Sequence, residues 1–173
     1  MSATRRSGTD PIAEARRQWV DHGMAPTAEA MAAITSVFRA QQIFLTRIDR
    51  ALKPFGLTFA RYEVLMLLSF SRRGTLPLGI LGSRLQVHPT SVTNAVDRLE
   101  AQGLIRRVPH PTDRRTTLAE LLEEGRARAG AATEAVQEVF ADPGLDGGDV
   151  RTLFEVLARL RAGAGDFGDD HAG

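Results

Sequence analysis

The sequence predicts a mainly α-helical protein with one small β-hairpin near its middle. Three observations indicate this fold class: long segments with apolar residues at helical spacing near both ends, two short helical segments separated by a tight turn, and two strand-like runs joined by a proline-rich turn. With 173 residues, 43% of them hydrophobic, the chain suits one ordinary domain with helical extensions.

The N-terminal region is predicted to contain a short helix followed by a long one. The first residues are small, polar and basic, which is typical of a disordered tail over 1–9. Asp10 followed by Pro11 is typical of a helix start, so an extra N-terminal helix is expected over 10–23. After a break at an alanine-proline-threonine sequence, a broad apolar stripe predicts a long helix over 28–53.

The central segment, 55–121, has the element order of a winged helix-turn-helix lobe. The expected elements are a helix capped by Thr58, a brief extended piece at 75–77, a helix at 78–85, a helix from Pro89 to Gly103, and strands at 104–108 and 115–121 that form the hairpin, or wing.

Two more helices are predicted after the hairpin, within 123–163, the second of them capped by Asp146. The acidic, glycine-rich end, 164–173, is expected to be a disordered tail. The apolar stripes of 28–53 and 123–163 exceed what the small lobe can cover. We therefore expect these long helices to form the dimerisation domain of a homodimer.

Composition excludes several function classes. The chain has no cysteine, which removes disulfides, thiol chemistry and the usual zinc ligands, and its four histidines show no metal-ligand spacing. No nucleophile elbow or phosphate loop is present, so neither an enzyme nor a bound cofactor or metal is expected. No apolar run of about 18 residues and no signal-peptide core occur, so we expect a cytoplasmic protein without membrane contact.

The helix that begins at Pro89 has two contrasting faces. Val92, Val96 and Leu99 form an apolar stripe. The other face carries short hydroxyl and amide side chains, which are poor helix formers but suit close approach to phosphates and base edges in a DNA major groove. The predicted DNA-binding residues of this recognition helix are Pro89, Thr90, Ser91, Thr93, Asn94 and Arg98. Arg98 is expected either to reach a phosphate or to pair with Asp97 or Glu100.

The hairpin carries a local basic cluster in a chain whose net charge is only +1. The alternative is an arginine cluster that is merely solvated. Because the cluster follows the polar helix closely in the sequence, we favour a single DNA-binding surface in which the hairpin contacts the DNA backbone and the minor groove. We expect Asp113 to pair with an arginine and hold the turn in shape rather than to touch DNA. The residues assigned to the wing site are Arg106, Arg107, His110, Asp113, Arg114 and Arg115.

These motifs resemble the MarR family of transcription regulators. The resemblance rests on Ser91-Val-Thr-Asn, on Asp97-Arg-Leu-Glu and, most specifically, on Pro111-Thr-Asp-Arg-Arg at a fixed distance from them. It implies a homodimer that binds a pseudo-palindromic operator in double-stranded DNA and represses its own or a neighbouring promoter until a small aromatic or carboxylated effector releases it. His110 stands where the family usually has an acidic residue. The alternative is a helical interaction protein with a structural hairpin and no DNA binding.

The extra N-terminal helix resembles the urate-responsive branch of that family. Trp19, Glu63 and Arg107 match residues of the branch's ligand pocket, whereas its second arginine falls on Ala95, which alters the pocket chemistry and leaves another carboxylate or phenolic ligand open. The resemblance implies a ligand site that includes Trp19, Glu63 and Arg107, and His22 is predicted to belong to the same site. The alternative for Trp19 is a staple that holds the N-terminal helix to the dimer core.

Overall fold

The structure, a computed structural model, describes residues 8–85, 89–113 and 115–167. The helices are α1 (Pro11–Asp21), α2 (Ala25–Leu52), a 3-10 turn (Lys53–Phe55), α3 (Phe59–Phe70), α4 (Leu78–Leu85), α5 (Pro89–Ala101), α6 (Glu123–Ala141) and α7 (Gly147–Gly163). The strands are β1 (Thr75–Pro77), β2 (Ile105–Pro109) and β3 (Thr117–Leu121). The chain divides into two compact units, one ending at Val136 and one beginning at Gln137.

Helices α1 and α2 pack against each other as a helical pair. The carboxylate of Asp10 caps α1 by accepting from the amide of Ile12 at 3.0 Å. The expected break before α2 is wrong, since α2 already begins at Ala25 with Pro26 in its first turn. Proline fits there because the first amides of a helix have no partner within the helix.

Helix α3 is capped by a residue of α2. Thr58 occupies the expected N-cap position, but its side chain makes no capping hydrogen bond. Instead, the amide of Phe59 donates to Oδ1 of Asp49 over 2.8 Å. The prediction that Thr58 caps α3 is therefore wrong. The carboxylate of Asp49, on the preceding helix, accepts from the free amide instead.

The core of the first unit lies where α3, α4 and α5 meet a three-stranded antiparallel sheet. The strand order is β1-β3-β2, and Leu76 and Arg107 lie opposite Ala119 from either side. The largest side chains that are fully buried include Leu52, Leu65, Leu68, Leu81, Leu99, Leu104 and Ile105. Burial of this apolar surface holds α5 in place and supplies most of the driving force for folding.

The start of α6 lies directly against Leu104, the residue that precedes β2. A Cβ atom built on Gly125 would lie 2.9 Å from the carbonyl carbon of Leu104 and still closer to its oxygen, so only glycine fits. Further along α6, Oγ1 of Thr133 lies 3.0 Å from the hydroxyl of Tyr62 on α3. Helix α6 is thereby fixed to the lobe at two points.

Two helical faces remain apolar and uncovered in the single chain. On α2, Ile34 is 54% exposed and Phe38 is 59% exposed. On α7, Phe154 and Leu160 are 65% and 62% exposed. Asp146 caps α7 as predicted, accepting from the amide of Gly148 at 2.8 Å. Every helix of the described ranges is too short or too polar to span a membrane.

Candidate nucleic-acid interface

Helix α5 presents a polar face to solvent and an apolar face to the core. Val92, Val96 and Leu99 are buried, and the last two are completely inaccessible. The opposite face exposes Thr90, Ser91, Thr93, Asn94, Asp97 and Arg98. Pro89 begins the helix as predicted. The structure thus brings the predicted recognition residues from 90 to 98 onto one accessible surface.

Arg107 ties α5 to the root of the wing. Its guanidinium pairs with the carboxylates of both Asp97 and Glu100, and its amide donates to Oε1 of Glu100 at 2.8 Å. The backbone bond from Arg107, followed by the side-chain bond, holds the pKa of Glu100 below its usual range. Arg107 was expected in both the DNA site and the ligand site, whereas in the structure its guanidinium pairs with two carboxylates of the lobe.

Arg106, also on β2, is paired in the same way with a carboxylate of the neighbouring strand. It forms a two-pronged pair with Glu120 on β3, with Nε 2.7 Å from Oε2 and Nη2 3.0 Å from Oε1. The hydrogen bond from Arg106 lowers the pKa of Glu120. Two of the four arginines counted in the basic cluster therefore face carboxylates that lie elsewhere in the sequence, and the cluster is less positive than its composition implies.

The tip of the wing is held by Asp113 and His110. Oδ1 of Asp113 accepts from the amide of Arg115 at 2.9 Å, and Oδ2 accepts from the hydroxyl of Thr116 at 2.7 Å. These two bonds lower the pKa of Asp113, and the bond from the Thr116 hydroxyl has the larger effect. Among the described residues, Asp113 holds the turn through the main-chain amide of Arg115 and the hydroxyl of Thr116, because the short carboxylate closes a local turn.

His110 also acts within the turn. Its Nδ1 accepts from the amides of Asp113 and Thr112 over 3.1 and 3.3 Å. The imidazole nitrogen is thus the acceptor for two main-chain amides of the turn. Arg115 is exposed beside this turn, and Arg114 lies outside the described residues.

A groove of about 560 Å³ runs between the start of α3 and the exposed flank of α5. Asn94 and Arg98 line it from α5, and Thr58 and Arg61 line it from α3. Arg98 pairs with neither Asp97 nor Glu100, because Arg107 holds both carboxylates. Arg61 has no signal in the sequence that connects it with this face, since only the packing of α3 against α5 places it beside α5.

The four residues proposed for the ligand site make separate local contacts. The indole of Trp19 donates to Oγ1 of Thr27 over 3.1 Å, which fits the staple interpretation, and Nδ1 of His22 lies 2.7 Å from the carbonyl oxygen of Gln18. Burial raises the pKa of Glu63. Within the described part of the chain, no hydrogen bond or ion pair joins any two of Trp19, His22, Glu63 and Arg107.

Similarity to known proteins follows the same lobe. The MarR family profile matches residues 57–117. The crystal structure of Sco5413, a MarR family transcriptional regulator from Streptomyces coelicolor, is 48% identical with a TM-score of 0.74, over 82% of this chain and 99% of that one. Sco3205 from the same organism, solved in complex with DNA, is 29% identical with a TM-score of 0.69, over 79% of this chain and 88% of that one.

Other relatives match less closely or over less of their length. CouR from Rhodococcus jostii, solved with p-coumaroyl-CoA, is 27% identical with a TM-score of 0.61, over 72% of this chain and 87% of that one. The Bacillus subtilis HTH-type regulators YhbI and MhqR are 35% and 33% identical over 45% and 50% of this chain, and the matches span 49% and 59% of their own lengths. On the similarity to Sco5413 along most of both chains, this protein belongs to the MarR family of transcriptional regulators.

Proposed function

We propose that the protein is a sequence-specific DNA-binding regulator that represses its own or a neighbouring promoter in the cytoplasm. The observation that carries this proposal is the exposed face of α5, where short hydrogen-bonding side chains stand on a helix fixed to the wing by Arg107. Such groups suit base edges in the major groove. The relative Sco3205, which was solved with DNA, supports the assignment.

The two parts of the interface have different tasks in this proposal. Thr90, Ser91, Thr93 and Asn94 read bases, whereas the wing tip around Arg115, together with its neighbour Arg114, contacts phosphates and the minor groove. Arg106 and Arg107 support the lobe through their ion pairs rather than touching DNA. Asp113 and His110 keep the wing turn in shape.

The regulator works as a homodimer in this proposal, through the long helices at both ends of the chain. Exposed apolar side chains on α2 and α7, such as Phe38 and Phe154, form faces that a second copy would bury. Two lobes related by a twofold axis then meet the two halves of a pseudo-palindromic operator, as in other dimeric helix-turn-helix proteins.

A small aromatic or carboxylated effector releases the operator in this proposal. The relative CouR, which was solved with p-coumaroyl-CoA, supports a ligand of this class. Trp19, His22 and the half-buried Glu63 are the candidate contacts in this chain. Because Arg107 is occupied by Asp97 and Glu100, it serves a ligand only if that pairing opens.

The test is binding of the purified full chain to a DNA fragment from the region upstream of its own gene. Fluorescence anisotropy over a range of salt concentrations should give a steep fall in affinity with salt, and excess random DNA should compete poorly. A dimer that binds no DNA at low salt would refute the proposal and favour an interaction protein with a structural hairpin.

A further inference from the structure

We infer that Arg61 and Arg98 form a second phosphate-binding site for operator DNA, on the flank of α5 opposite the wing. This inference rests on the proposed DNA-binding function and extends it to α3, which sequence analysis did not connect with DNA. The occupant is the sugar-phosphate backbone that borders the major groove in which α5 lies.

The site is the groove between α3 and α5. Ser91, Asn94, Arg98 and Gln102 stand at positions i, i+3, i+7 and i+11, so they form one stripe along α5 and the turn that follows it. Arg61 faces this stripe across the groove of about 560 Å³. At the far end, Nε2 of Gln102 donates to the carbonyl oxygen of Gly56 over 3.4 Å, which links α5 to the turn before α3.

The groove is positively charged. Among the residues that the structure describes, no acidic side chain lines it, and the two carboxylates nearest to Arg98 along α5 are held by Arg107. Nε of Arg61 donates to Oγ1 of Thr58 over 3.2 Å, which orients the guanidinium and leaves its terminal nitrogens for a ligand. The adjacent start of α3 already has Asp49 as its cap, so the site depends on the two arginines rather than on the helix terminus.

The position of the groove identifies the DNA backbone as the occupant. The major groove is about 12 Å wide and has a phosphate strand on each side, so a helix that reads its floor has phosphates along both flanks. The wing lies on one flank of α5, where Arg107 of β2 pairs with Glu100 of α5. The groove of Arg61 and Arg98 lies on the other flank. The two cationic edges then fix the register of α5 between the strands.

The experiment compares three variants of the full chain with the wild type on the same operator fragment. Arg61→Gln should reduce the steepness of the plot of log affinity against log salt by about 0.9 for each copy of the chain. The reason is that binding then forms one phosphate contact fewer and releases fewer counterions. Binding at about 0.15 M salt should weaken by roughly five-fold per copy, equally on operator and on random DNA. Arg61→Lys keeps the charge and should keep most of the slope.

The matched control is Arg72→Gln. Arg72 is exposed and lies just beyond the opposite end of α3, about 17 Å from Arg61 at 1.5 Å per residue. The Arg72→Gln variant should bind the operator with the affinity and the salt slope of the wild type. Circular dichroism melting curves of all variants exclude a folding defect as the cause of any loss.

A neutral methylphosphonate, placed at single positions of the operator, locates the contact. At one phosphate of each half-site it should weaken the wild type and leave Arg61→Gln unaffected, because the interacting charge is already gone. If the wild type binds with a steep salt slope but Arg61→Gln matches it, this inference is wrong and the proposed function stands. If the wild type itself shows no salt-dependent binding, the proposed function fails.

Discussion

The main-chain amide of Arg107 on β2 donates to Oε1 of Glu100 on α5 over 2.8 Å, and the guanidinium of the same arginine pairs with that carboxylate. Asp97, one turn earlier on α5, takes the other end of the guanidinium. The helix proposed to read bases and the strand that leads to the wing tip are therefore joined by one residue. In the proposed complex, a shift of either element would change the position of the other on DNA.

This link predicts a pH dependence of stability. The folded state lowers the pKa of Glu100 from its ordinary value of 4.5, so its bonds to Arg107 stabilise the fold above that value and are lost as the pH falls through the folded pKa. Urea unfolding of Glu100→Gln should therefore show a smaller loss of stability between about pH 6 and pH 3.5 than the wild type. Glu134→Gln, on the exposed part of α6, is the control and should keep the wild-type difference. An equal loss in Glu100→Gln and the wild type would contradict the role of this pair.

A second prediction concerns the two glycines of α6. Gly125→Ala should lower the free energy of unfolding by about 2 kcal/mol, because the new methyl group meets the rigid backbone of Leu104. Gly130→Ala is the matched control, since nothing lies within 4 Å of a Cβ there and alanine favours a helix interior by roughly 0.5 to 1 kcal/mol. Denaturant unfolding should thus give changes of opposite sign. A neutral Gly125→Ala would mean that α6 does not pack against Leu104 as described.

A third prediction separates base reading from backbone affinity. Asn94→Ala should reduce the preference for operator over random DNA by about 1 to 3 kcal/mol, with little change on random DNA. Arg115→Gln should instead weaken both kinds of binding alike and reduce the salt slope. Competition binding at two salt concentrations distinguishes these outcomes. Equal losses on both kinds of DNA in Asn94→Ala would remove that residue from the base-reading set.

A fourth prediction concerns the exposed apolar face of α7. Phe154 is 65% exposed in the single chain, and burying a large apolar side chain contributes about 1.5 to 3 kcal/mol. Phe154→Glu should therefore shift the mass in sedimentation velocity from dimer toward monomer and weaken operator binding in parallel. Arg159→Glu, an exposed polar position on the same helix, should leave the mass unchanged. A monomeric wild type would refute the proposed dimer.

Local patterns in the sequence were sufficient for the order and nature of the elements. Apolar spacing predicted the helices from α1 to α7, and Asp146 was correctly predicted to cap the last of them. Pro89 was correctly placed at the first position of α5. These features depend on residues within one helical turn of each other, where backbone hydrogen bonding and side-chain spacing act independently of the rest of the fold.

Only the tertiary structure decided which arginine side chains pair with carboxylates and which do not. Arg106 and Arg107 look like part of a basic cluster in the sequence, but packing brings Glu120 and Glu100 within hydrogen-bonding distance of them. Packing of α3 against α5 likewise brings Arg61 beside α5. Electrostatic interactions depend on distances between residues far apart in the sequence, and burial of the apolar core sets those distances. The sequence alone therefore determined the order and type of the elements, and the packed structure determined which arginines pair with carboxylates.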